Sequence, residues 1–92
     1  MPIIQSQITL SETTPSLVVS PDNMPQEVHL HNMTKSANEY IFLGDENVST
    51  TNAIHIDPGE SIQLSLPALD SLYAVSDPGG LVLGVLVLRR RD

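Results

Sequence analysis

At 92 residues and a formal net charge of −7, the chain is one small acidic domain. With Tyr40, Phe42 and Tyr73 its whole aromatic set, its core has to be built from Ile, Val and Leu. Cysteine is absent, which excludes a disulfide framework, thiolate zinc sites and thiol catalysis. Every carboxylate except Asp92 lies in residues 1–88 beside a single base, Lys35, while Arg89, Arg90 and Arg91 stand together; an acidic body of this kind repels phosphate backbones, so no direct nucleic-acid partner is expected.

In chain order, Ile3-Ile4-Gln5-Ser6-Gln7-Ile8-Thr9-Leu10 reads as a first strand with Ile4, Ile8 and Leu10 on one face. Residues 11–15 are polar and break it, and Leu17-Val18-Val19 forms a short second strand. Pro21 and Pro25 bracket a loop, because proline cannot donate to a sheet ladder. From Glu27 to Met33 the pattern alternates, with Val28 and Leu30 on one face and His29 and His31 on the other. A nearly continuous apolar strand, Tyr40-Ile41-Phe42-Leu43, ends at Gly44, and Asp45-Glu46-Asn47 is a loop tip. Residues 48–52 are extended or partly irregular.

Ile54-His55-Ile56 and residues 61–66 form the two arms of a turn at Asp57-Pro58-Gly59-Glu60, with Ile62, Leu64 and Leu66 facing in. Pro58 presets the second turn position, and Gly59 supplies the positive φ that a type II turn needs at the third. Pro67-Ala68-Leu69-Asp70 is a loop or one short helical turn. Leu72-Tyr73-Ala74-Val75 is a strand, Asp77-Pro78-Gly79-Gly80 a second turn, and residues 81–88 the last strand. That last run is apolar on both faces, so it is either a central strand covered on both sides or an edge strand whose outer face meets a partner. At eight residues it is far short of the roughly 20 that a membrane-spanning helix needs, and no membrane partner is expected. The N-terminal residues lack the basic-then-apolar pattern of a secretion signal. The fold expected is all-β: a single small β-sandwich or jelly-roll-like barrel of seven to eight short strands over residues 1–92, with 1–10 as an arm or edge strand and 89–92 as a charged tip.

No motif for catalysis stands out. His29 and His31 on one strand face could share a metal with His55 nearby, but a solvated or interface face explains them as well. Asp45-Glu46-Asn47 lacks the spaced ligands and closing glutamate of a calcium loop. Gly79-Gly80 lies between strands, the wrong setting for a phosphate cradle. Asn32-Met33-Thr34 and Asn47-Val48-Ser49 match glycosylation sequons, triplets that arise easily by chance. Neither enzymatic activity nor a cofactor is expected.

Across residues 32–76 several elements recur in a familiar order. Asn32 follows an alternating strand; then come Tyr40-Ile41-Phe42-Leu43-Gly44, Val48 with Thr50-Thr51-Asn52, Pro58-Gly59-Glu60-Ser61 and Leu72-Tyr73-Ala74-Val75. This arrangement resembles small all-β virion proteins of tailed bacteriophages, of the head decoration and accessory type. Ala53 stands where related sequences often place glycine, and Asn52 would supply the left-handed backbone there.

The resemblance implies a capsid decoration, or cement, protein. It would be made in the host bacterial cytoplasm and carried on the outer surface of the head, bound to the major capsid protein or another virion protein. It would act as a homo-oligomer, such as a trimer over a symmetry axis. Two segments are the expected contacts. An N-terminal arm with Pro2, Ile3, Ile4 and Gln5 would add a strand to a partner's sheet edge. The tip with Arg89, Arg90 and Arg91 would pair with carboxylates. The alternative is a β-sandwich on a tail, neck or fibre that binds a receptor or carbohydrate, against which the scarcity of aromatic rings counts.

Overall fold

The computed structural model describes residues 3–51 and 54–89, the last of these by its backbone alone. Eight strands run in chain order: β1 (Ile3–Thr9), β2 (Ser16–Val19), β3 (Gln26–Asn32), β4 (Tyr40–Gly44), β5 (Ile54–Ile56), β6 (Ser61–Leu66), β7 (Leu72–Asp77) and β8 (Val82–Arg89). They form two four-stranded sheets. Sheet A has the order β1-β8-β3-β6 and sheet B the order β2-β7-β4-β5. Every pairing is antiparallel. Consecutive strands alternate between the sheets, except that β4 and β5 pair within sheet B; this is the connectivity of a jelly roll, and the fold is the all-β sandwich expected from sequence. There is no helix among the described residues.

The alternating pattern decides which side chains go inside. Val28 and Leu30 of β3 face Val87 and Val85 of β8 and are buried, while His29 and His31 face outward. On β8 itself, Leu83, Val85 and Val87 are buried and Val82, Leu86 and Leu88 are half-buried. The last strand is therefore central within its sheet but covered on one face only, a combination of the two arrangements that its sequence left open. Ile41 and Leu43 of β4, Ala74 of β7, Ile56 of β5 and Leu66 of β6 complete an aliphatic core. All three aromatic side chains fall outside it. Tyr40 and Phe42 alternate with the buried Ile41 and Leu43, and Tyr73 lies opposite Gly44 on the same outer face. Val48 then folds back over this face. It is buried, and a Cβ on Gly44 would stand 3.1 Å from its own Cβ, so the loop packs against its strand only because position 44 is glycine.

The two turns have the expected chemistry. Glu60 N donates to Asp57 O at 3.0 Å, and Gly59 has φ 76°, as a type II turn requires. Gly80 has φ 88° after a cis Asp77-Pro78 peptide. The arms of the first turn do not pair with each other, however. Ile54–Ile56 joins β4 in sheet B, and Ser61–Leu66 joins β3 in sheet A. The turn is thus a crossing between layers. Residues 67–70 form a turn closed by Asp70 N to Pro67 O at 3.2 Å, with Leu69 at φ 70°. Residues 48–51 are irregular, and the question of glycine at position 53 lies outside the described residues, as Asn52 and Ala53 do.

The crossing is held by a buried amide. Asn32 ends β3 fully buried. Its Nδ2 donates to Glu39 O at 2.9 Å and to Ile56 O at 3.0 Å, and its Oδ1 accepts from Thr34 N at 3.1 Å and Thr34 Oγ1 at 2.7 Å. Its backbone N donates to Glu60 O, and its carbonyl accepts from Gly59 N. One side chain thereby ties sheet A to the end of β5 in sheet B. That use of the amide leaves the Asn32 sequon sealed against glycosylation.

Candidate functional site: sheet A, its corner and its open edges

The pairing of β1 with β8 brings Ile3, Ile4 and Gln5 of the expected arm beside the end of β8 at one corner of sheet A. Ile3 lies opposite Leu88, Ile4 opposite Val87 and Gln5 opposite Leu86, while the Arg89 backbone is registered with Gln26 on the other flank of β8. Ile3 is 64% exposed and Ile4 37%. The inward residues Ile4 and Ile8 on β1 are thus left partly open at the sheet's flank. Pro2, Arg90 and Arg91, and the Arg89 side chain, lie outside the described residues.

The outer face of sheet A is uncharged at its centre. A depression of about 500 Å³ lies there, with Gln5, Gln7, His29, His31, Gln63 and Leu86 around it. Its floor is low because position 84 is glycine; a Cβ there would meet Met33 Sδ at 3.3 Å. His31 Nδ1 is hydrogen-bonded to Ser61 Oγ at 2.8 Å. His55 belongs to sheet B, so it does not join His29 and His31. Instead it packs edge-on against Tyr40, with ring centroids 5.2 Å apart, and its Nε2 is 3.0 Å from Asp57 Oδ1. Among the described residues no group of three or more His, Cys, Asp or Glu side chains is placed to hold a metal ion. At the acidic loop tip, Asp45 Oδ1 accepts from Asn47 N at 2.9 Å and Asp45 O from Val48 N at 3.0 Å. The carboxylate shapes its own turn.

The four sheet edges differ in a way that bears on assembly. An unpaired edge strand offers free N–H and C=O groups to other chains, and proteins blunt it with charge, proline, bulges or short length. Sheet B does this at both edges. β2 has four residues, a register irregularity between Leu17 and Val19, and Pro15 and Pro21 close by. β5 has three residues and is followed at once by Asp57 and Pro58. Sheet A does not. β1 runs seven residues, Ile-Ile-Gln-Ser-Gln-Ile-Thr, in unbroken register with β8. β6 runs six, Ser-Ile-Gln-Leu-Ser-Leu. Neither contains a charge or a proline, in a chain with fifteen Asp, Glu, Lys and Arg residues (11 plus 4). Sequence reading singled out β1 and passed over β6. The uncharged alternation of residues 61–66 is visible in the sequence, but its place at an edge follows from a strand order that no local pattern reveals.

No family model matches the chain, and no curated protein matches it. Among solved structures, it is similar to a chain from Bacillus endospore appendages, described as a family of disulfide-linked pili. The TM-score is 0.53 at 11% sequence identity, over 97% of this chain and 89% of that one. At that identity the likeness shows a shared fold.

Proposed function

We propose that the chain is a non-enzymatic structural subunit that works in many copies by gripping other proteins, and that it decorates the outer surface of a tailed-bacteriophage head and stabilises the assembled shell. The observation that carries this reading is the corner of sheet A, where the exposed Ile3 and Ile4 meet the end of β8. An exposed apolar patch on the strand paired with β8, and a run of three arginines following β8 in sequence, suit an acidic, partly apolar protein surface such as a major capsid protein could offer. Three of the side chains with reactive groups have structural employment: His31 with Ser61, His55 with Asp57, Asp45 with its own loop. Repetition on a lattice turns weak single contacts into avidity, and a protein that binds only the assembled shell stabilises that state by mass action. A shared fold with subunits of disulfide-linked pili is compatible with a life in assemblies, although a chain without cysteine cannot be linked in that way.

A second reading has one observation in its favour. The depression walled by Gln5, Gln7, His29, His31 and Gln63 presents amides and imidazoles without a carboxylate, lysine or arginine. Such a surface suits a neutral polar ligand, as a receptor- or carbohydrate-binding sandwich on a tail, neck or fibre would require.

The test is co-sedimentation with bare mature heads across a range of salt. Arg89→Ala, Arg90→Ala and Arg91→Ala together are expected to weaken retention and flatten its salt dependence while leaving the melting temperature unchanged. Retention equal to wild type at every ionic strength removes the arginines from the contact. Binding to tails or to a glycan, with none to heads, favours the second reading.

A further inference from the structure

We propose that copies of this chain join head to tail through the two open edges of sheet A, β1 of one copy pairing antiparallel with β6 of the next. The inference rests on the reading of the chain as a multi-copy structural subunit and names a second copy of the same chain as the occupant of the β1 edge; Ile4 then faces the neighbouring copy, and Ile3, opposite Leu88 on the outer face, is the part of the corner left to a shell.

Three observations point to this partner. The first is direction. β1 is antiparallel to β8, β8 to β3 and β3 to β6, so β1 and β6 run oppositely within one copy. When a second copy is set beside the first by translation along the sheet, its β1 meets β6 in the antiparallel sense. The four-stranded sheet then continues as β1-β8-β3-β6 followed by β1-β8-β3-β6. The second observation is match. The two strands differ in length by one residue and are both free of charge and proline, while the edges of sheet B are short and guarded.

The third observation is unfinished burial. Ile4 and Ile8 on β1, and Ile62 and Leu64 on β6, point toward the core side of sheet A, since they pair with Val87 and Leu83 or with Leu30 and Val28. All four stay partly exposed at the flanks. Pairing that keeps inward residues beside inward residues brings Ile4 and Ile8 against Ile62 and Leu64 and closes both flanks at once. On the outer face it sets Gln5 and Gln7 beside Gln63. Because the two edges are different surfaces, the contact is heterologous, and repetition closes a ring or propagates a fibre.

The absence of cysteine makes the test clean, because every disulfide formed is an engineered one. Gln5 and Gln63 are exposed and are separated within a copy by three strand spacings, roughly 14 Å. That exceeds the roughly 7 Å limit for a disulfide between Cα atoms, so a bond between them has to join two copies. The double variant Gln5→Cys with Gln63→Cys, oxidised with diamide in solution without shells, is expected to give a ladder of covalent multimers on non-reducing gels. A double variant Gln7→Cys with Gln63→Cys covers the neighbouring register. A mixture of the two single variants Q5C and Q63C is expected to give covalent dimers, whereas each single variant alone stays monomeric. Circular dichroism matching wild type confirms the fold of each. Dimers from Q5C alone would mean two β1 edges meet each other, which overturns the proposal, as does the lack of any covalent species in both double variants. Cross-linking lost with shell retention intact removes the copy contact alone. Cross-linking present without shell binding removes the shell reading alone.

Discussion

Asn32→Ala is expected to cost about 3 kcal/mol of folding free energy and to lower the melting temperature by about 15 °C. The estimate follows from what the amide leaves behind. The carbonyls of Glu39 and Ile56 lose their shared donor, and Thr34 N and Oγ1 lose their acceptor, in the neighbourhood of a residue with no solvent exposure. A buried polar group stripped of its partner costs about 1–3 kcal/mol, well above the net gain from forming the same bond. A domain of this size has a margin of only about 5–15 kcal/mol, so the loss is a large share of it. Asn32→Asp is a sharper version, since a carboxylate keeps the acceptor for Thr34 but faces two carbonyl oxygens with nothing to donate. Thr34→Val removes one of the bonds and is expected to cost about 1 kcal/mol. Chemical denaturation of the three variants checks the ranking. A loss below that of Thr34→Val in Asn32→Ala would show that the amide is not the tie between the sheets.

Leu30→Ala is expected to cost about 3 kcal/mol as well, through a different mechanism. Leu30 is 1% exposed in the middle of β3, with Val85 of β8 and Ile62 of β6 as its cross-strand neighbours. The core around it is aliphatic and contains no aromatic ring that could swing into the space. Truncation therefore removes apolar contact and leaves a cavity that the sheets cannot easily close. The same truncation at Ile3, largely exposed at the end of β1, is expected to change stability by less than about 0.5 kcal/mol. Urea unfolding of the pair measures the contrast; equal losses at the two positions would contradict the assignment of the core to the inner face of sheet A.

Most of the strands were legible in the residues, and for a physical reason. Alternation in β3, β-branching in β2, and turn chemistry at Pro58-Gly59 and Pro78-Gly79-Gly80 are all local, and each tolerates only a few backbone conformations. What the residues did not reveal is how the pieces are shared between layers. The arms flanking residues 57–60 look like partners because they adjoin one turn, yet β5 pairs back with β4 in one sheet and β6 pairs with β3, met much earlier in the chain, in the other. Phe42 looks like core in a run of apolar residues; the register of β4 sends it outward with Tyr40 to meet His55. Asn32 could be noticed as a sequon and as the end of an alternating strand. Its role depends on carbonyls at residues 39 and 56, which only the finished fold brings within reach.

The candidate site divides in the same way. Ile3, Ile4 and Gln5 could be singled out because a terminal uncharged strand is a natural edge. Their convergence with the end of β8, and the matching edge at β6, appear only once strand order is known.

The measurement that bears most directly on the account is electron cryomicroscopy of bare mature phage heads incubated with the purified chain. A structural subunit of this kind predicts regular protrusions at the head's symmetry axes, each containing the jelly roll with the Ile3 and β8 corner against the shell. Heads that remain smooth at saturating protein, with the chain bound instead at a tail tip or not bound to virions at all, would contradict it.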